Sequence, residues 1–207
     1  MTDVVRVVHR RRSRRRSVGK AYDMAIEVAD LIPPDTRLLD VGCGNGYIAH
    51  HLNALLTKRV TGVDFGEASK ARIKYLSYDG KRLPVSDGSY DGVLLSYVLH
   101  HVQDIHLALS EVRRVVRAGG FVVIYEDIPK NLWDNVPCGL HDRMWRSRSG
   151  PCTFRRPNEW VDLFDLYGLE VVSEKAISRW RNVFHPVGHI LYVLKATQEP
   201  ERSLKGN

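Results

Sequence analysis

Three glycines separated by single residues, Gly42, Gly44 and Gly46, lie within LLDVGCGNG, the stretch from Leu38 to Gly46. A short apolar strand leads into them and a helical pattern leads away. Only glycine lets the backbone turn this sharply and lets a ligand rest against bare peptide groups. Asp64 closes the next apolar stretch, 22 residues beyond Gly42. Nucleotide-binding sheets place an acid at about this interval to grip a ribose hydroxyl pair. A dinucleotide site would show G-x-G-x-x-G, with a helix N-terminus left bare for a pyrophosphate. This chain has G-x-G-x-G, and Asp40 stands two residues ahead of Gly42. A carboxylate there repels a pyrophosphate and suits a ligand that carries positive charge.

Such residues need a sheet edge to hold them, and the chain supplies the pattern for one. SVGKAYDMAIEVADLI has helical spacing, with Tyr22, Ala25 or Ile26, Ala29 and Ile32 recurring until Pro33-Pro34 stops it. RLLDVG is an apolar strand, the segment from Tyr47 to Leu56 a helix, and RVTGVD (59–64) a second strand. A short helix is predicted from Ser69 to Leu76, running into a weak third strand near Lys74–Tyr78. SYDGVLLS (89–96) is a fourth strand. Asp104 caps a helix with Leu109, Val112 and Val116 on one face and Gly119-Gly120 as its stop, and a fifth strand covers 120–127. About thirty residues after Glu126 lack a clean period. A helix from Pro157 to Tyr167 then carries Trp160, Leu163, Phe164 and Tyr167 on one face, and strands at 169–177 and 189–196 finish the chain. Alternating strands and amphipathic helices predict a doubly wound α/β sheet.

LLDVGCGNGYIAHHL, VTGVDFG, YDGKRLPVSDGSYDGVLLSYVLHHV and ALSEVRRVVRAGG, in this order, resemble the class I S-adenosylmethionine-dependent methyltransferases. They are most similar to the small-molecule branch that includes the quinone-biosynthesis C-methyltransferases. The resemblance spans roughly residues 35–128. It implies a seven-stranded Rossmann-like sheet with an antiparallel last strand and helices on both faces. It also implies S-adenosyl-L-methionine as cofactor and S-adenosyl-L-homocysteine as product. Asp40, Gly42, Gly44 and Gly46 would line the methionine portion, Asp64 would hold the ribose hydroxyls, and Phe65 would lie against the adenine. Asp79, with the Gly80 backbone beside it, would meet the adenine amino group. Ser96 and Tyr97 would stand beneath the sulfonium. The chain departs from the family at Val85, often Phe, and at Ala118, usually Pro.

On the acceptor side, His100 and His101 follow the fourth strand at the edge where ligands bind in such folds. One of them, His100 by preference, is a candidate general base or acceptor-orienting group, with Tyr97 beside it. The alternative is a helix-start histidine held by backbone hydrogen bonds. No metal-ligating set stands out. His185 and His189 are four apart, but Pro186 interrupts them, and His50-His51 has no neighbouring ligand. All four tryptophans, Trp133, Trp145, Trp160 and Trp180, fall after residue 130. The unperiodic stretch, about 128–156, is therefore read as an aromatic lid with Trp133 and Trp145 in an apolar acceptor pocket, and Trp160 as core. The [ND]-P-P-[YF] tetrad of amino-group methylation is absent. The Pro-Cys pairs at 137–138 and 151–152 lie beyond the fifth strand, too late for a cytosine-methylating nucleophile.

The net charge of +7 belongs to one end. Residues 1–20 hold eight Lys or Arg and one acid, leaving 23 bases and 23 acids in the remainder. HRRRSRRRS is thus a basic tail (1–16) attached to one domain (17–207), able to touch nucleic acid or an anionic membrane through residues 10–16. This leaves two rivals to methyl transfer onto a small acceptor: an RNA or protein methyltransferase using the tail for capture, and a non-catalytic cofactor binder. Three cysteines without a CxxC pair suit a reducing compartment. A cytoplasmic protein is the expectation.

Overall fold

A computed structural model describes residues 19–66, 68–179 and 186–197. Seven strands form one sheet: β1 (Leu38–Val41), β2 (Thr61–Asp64), β3 (Lys74–Ser77), β4 (Tyr90–Ser96), β5 (Val116–Ile128), β6 (Leu169–Ile177) and β7 (Gly188–Ala196). Their spatial order is β3-β2-β1-β4-β5-β7-β6. β7 alone runs antiparallel to its neighbours, pairing Phe121 with Lys195 on one side and Leu169 with Ala196 on the other. The chain reverses direction of travel between β1 and β4, so their carboxyl ends open a crevice of the kind that holds ligands in wound sheets.

Strand residues alternate between two cores. Leu39, Val41, Val93, Leu95, Val122 and Ile124 face α3 (Ile105–Val115) and α5 (Pro157–Leu166). Leu38, Leu94, Val123 and Tyr125 face α1 (19–29) and α2 (Tyr47–Leu55). Helices therefore cover both faces, as the doubly wound pattern requires. Trp160 and Phe164 are fully buried and stacked with centroids 5.8 Å apart, so Trp160 is core. Asp104 caps α3 by accepting from the Leu107 amide at 2.9 Å.

Several sequence expectations fail locally. No helix occupies Ser69–Leu76. Ser69 Oγ instead donates to Ala71 O at 2.6 Å, and the Ala71 amide donates to Asn45 O, so the segment turns and delivers β3 directly. α3 stops at Val115 rather than at Gly119-Gly120, because Val116 is extended and pairs with Tyr90, lengthening β5. The buried face of α1 is Ala21, Met24, Ala25 and Val28, while Tyr22 and Ile26 are exposed. The stretch read as an unperiodic lid contains a fifteen-residue helix, α4 (Asn135–Ser149), with Pro137 tolerated in its first turn. Among the described residues no helix is long and apolar enough to cross a membrane. The arginine run, Trp180 and His185 lie outside the described residues.

Candidate functional site

The glycine loop is clamped to the end of β2. The Gly42 and Cys43 amides both donate to Val63 O, at 2.8 and 3.1 Å. Gly42 has φ 71°, and a Cβ there would come within 2.4 Å of Val98 Cγ2. Gly44, at φ 55°, has nothing within 4 Å of its would-be Cβ, so this side of the loop is open to an incoming ligand. Asp64 accepts from the Gly44 amide at 2.5 Å and from the Phe65 amide at 2.7 Å. Sequence spacing alone placed this carboxylate near the glycines, and the structure brings them into contact.

Asp40 is 1% exposed, and neither of its carboxylate oxygens has a hydrogen-bond partner among the described residues. Burial first, and the charge of Asp64 second, push its carboxyl up to about 8, with the Ala49 backbone as a weaker opposing influence. An uncompensated buried carboxylate is costly. Ser96 Oγ, at the carboxyl end of β4, is likewise buried without a partner. Two orphaned oxygen-bearing groups beside an open glycine turn fit a ligand bearing an ammonium and a sulfonium, such as S-adenosylmethionine. They do not fit a pyrophosphate.

Phe65 is 69% exposed and stacks on Tyr78 with centroids 5.6 Å apart. A Cβ on Gly80 (φ 83°) would strike Phe65 Cε1 at 2.7 Å, so glycine is what lets the 80 turn pass under this ring. Asp79 Oδ1 accepts from the amides of Lys81 and Arg82 at 2.9 and 3.3 Å, and these bonds hold its carboxyl below the usual range. Arg114 stiffens the following loop, donating to the carbonyls of Leu83 and Val85 while pairing with Glu111 and Asp87.

The far side of the crevice is built by β4, β5 and the return after α4. Tyr97 has φ 59°, the one non-glycine residue in the left-handed region among those described. It lies edge-on to His189 at 5.4 Å and beneath Lys20 Nζ, 5.0 Å from its ring centre. His100 is 1% exposed; its Nδ1 pairs with Glu126 Oε2 at 2.7 Å, and its Nε2 has no partner. Burial lowers its basicity, but the charge and hydrogen bond of Glu126 outweigh burial and raise it. His101 and His141 stand beside it, and Phe154 stacks on it at 5.2 Å. Burial, with His100 and His141 adding to it, pulls His101 down to about 3, leaving it neutral. His189 pairs with Asp127 at 2.6 Å.

The sequence reading missed Glu126 and Asp127, and it grouped His141 with the aromatic insert rather than with His100 and His101. The signal for the first two was present, since an acidic pair ends the apolar strand GFVVIYED at the ligand-binding edge. Trp133, expected in a pocket, is 83% exposed, whereas Trp145 packs on His101 at 5.3 Å.

Residues 39–124 match the family model described as a methyltransferase domain. The chain is 37% identical over 103 residues to a demethylmenaquinone methyltransferase of Staphylococcus aureus, covering 44% of this chain and 43% of that protein. It is 28% identical over 137 residues to a sterol 24-C-methyltransferase of Gibberella zeae, covering 56% of this chain and 36% of the relative. It thus spans less than half the length of these curated relatives. The solved structure of a geranyl diphosphate methyltransferase in complex with S-adenosylmethionine superposes with a TM-score of 0.69 at 14% identity, covering 85% of each chain. Residues 39–124 therefore match a methyltransferase-domain model, and the seven-stranded sheet has the fold of the solved S-adenosylmethionine complex.

Proposed function

We propose that this chain binds S-adenosylmethionine at the glycine loop and transfers its methyl group to a small, apolar or ring-bearing acceptor. The observation that carries the reading is Asp40, buried at the mouth of the loop with both oxygens unpartnered. Asp40 and the Gly42–Gly46 backbone would hold the methionine portion, and Asp64 the ribose hydroxyls. Phe65 would lie against the adenine, Asp79 and the Gly80 backbone would meet its amino group, and Ser96 and Tyr97 would face the reacting centre. The bound cofactor supplies an activated methyl group. The chain's own work is to align the acceptor behind it and exclude water. His100 Nε2 lies under Phe154 in a cluster that includes His141. Proton acceptance at His100 therefore requires α4 and the 150–156 return to lift. The aromatic residues of 133–154 and the names of the two curated relatives favour an apolar acceptor.

Calorimetric titration of the chain with S-adenosylhomocysteine should give one site, weakened at least about tenfold by Asp64→Ala, the scale of one charge-assisted hydrogen bond. Unchanged affinity in that variant would overturn the ribose placement. Labelled cofactor incubated with cell extract should deliver its label to the lipid-soluble fraction. Label in RNA or protein would favour polymer capture, and none in any fraction a non-catalytic binder.

A further inference from the structure

His100, His101 and His141 each offer a ring nitrogen lying within 4.8 Å of the other two. We infer that they form a binding site for one divalent transition-metal ion of the zinc class, joining α4 to the turn after β4. This goes beyond the methyl-transfer reading and does not depend on it.

Three observations converge. His101 Nε2 and His141 Nε2 face each other at 3.3 Å. Zinc–nitrogen bonds of about 2.0–2.1 Å at a tetrahedral angle set ligand nitrogens about 3.3–3.4 Å apart, so this pair already has the spacing a metal would impose. Secondly, the outer nitrogens of the two neighbouring rings are engaged. His100 Nδ1 is held by the Glu126 carboxylate at 2.7 Å, and His101 Nδ1 lies 3.1 Å from Ser149 Oγ and 3.3 Å from Cys152 Sγ. Metal-bound histidines characteristically have the ring nitrogen away from the ion held in this way, which fixes the tautomer and aims the other lone pair inward. Thirdly, His100 Nε2 is buried and unpartnered, an orphan that a metal bond would satisfy. Closing the triangle shortens its widest side by no more than about 1.5 Å, within reach of a ring rotation.

The scaffold holds these side chains in place. The Thr153 amide donates to His100 O at 2.8 Å, and Gln103 Nε2 donates to Ser149 O at 2.7 Å and Pro151 O at 3.1 Å, pinning the end of α4 to the histidine turn. Three neutral imidazoles with no carboxylate ligand suit zinc, cobalt or copper and exclude magnesium or calcium. Three protein ligands leave the fourth position open. When the ion is bound, His100 is a ligand and α4 is fastened down.

The test uses the full chain, stripped with a chelator and titrated with Co²⁺ alone. One equivalent should bind with the intense ligand-field absorption of a tetrahedral site, and Zn²⁺ should displace it. His141→Gln and His141→Ala, on an accessible helix, should each abolish the bands while leaving far-ultraviolet dichroism unchanged. Glu126 Oε1 also accepts from the Leu99 amide at 2.7 Å; Glu126→Gln, which keeps that acceptor, should weaken binding about 10–100-fold. The surface control His50→Ala should bind as the parent does. Absence of a stoichiometric site, or a site that survives both His141 variants, overturns the inference.

Discussion

Asp40 carries an electrostatic cost in the ligand-free chain. Its folded-state value of about 8 lies above the ordinary 3.8, so between these values the folded chain holds a proton that the unfolded chain has lost. Folding stability contributed by this group is therefore greatest below about pH 4 and declines as pH rises, levelling off above about 8. Asp40→Asn should remove that slope and raise ligand-free stability at pH 8 by at least about 1 kcal/mol, since one pKa unit corresponds to about 1.4 kcal/mol. The same variant should lose the thermal shift that S-adenosylhomocysteine gives the parent. Thermal melts at pH 5 and pH 8, with and without the ligand, measure both effects. A destabilised variant with its ligand shift intact would remove Asp40 from the site.

Among the elements, α5 shows how a single apolar stripe secures the sheet. Trp160 fills the core against Phe164 and is fully buried, so Trp160→Ala should cost about 3–5 kcal/mol, read from urea denaturation. That stripe was legible because its apolar residues recur at helical spacing and face inward. α4 was not legible, for a physical reason. Its apolar Val136, Leu140 and Met144 are exposed while Cys138 is buried and His141 half-buried, so hydrophobic periodicity points away from the core. The histidine cluster is illegible for another reason: 40 residues separate His101 from His141, and only the α4 return joins them. The glycine loop and Asp64 were readable because strand, turn and carboxylate follow one another within a single βαβ unit.

At the scale of the whole molecule, charge and chemistry occupy different places. All net positive charge resides in residues 1–20, ahead in sequence of every strand that carries the site. The described start of α1 nevertheless reaches the crevice, with Lys20 over Tyr97, and Tyr125 and Lys175 both bind Glu27 to anchor the helix. Deleting residues 1–16 should leave S-adenosylhomocysteine affinity within about twofold, and should abolish any salt-sensitive association with RNA, whose slope would be about −0.7 per phosphate neutralised on a single strand. A tenfold loss of ligand affinity on deletion would instead assign the arginines to the cofactor site.

The contact between Gly42 and Val98 makes residue choice at these positions interdependent. The valine methyl fills the space that a side chain at 42 would take, and the backbone there is also left-handed. Gly42→Ala should therefore carry two separable penalties, steric and conformational. In a double-mutant cycle, Val98→Ala should recover the steric share of the lost stability and leave about 1 kcal/mol of conformational strain. Drift at position 42 is thus gated by position 98, two residues before the first histidine of the cluster, so the loop and the histidine turn are bound to vary as one unit.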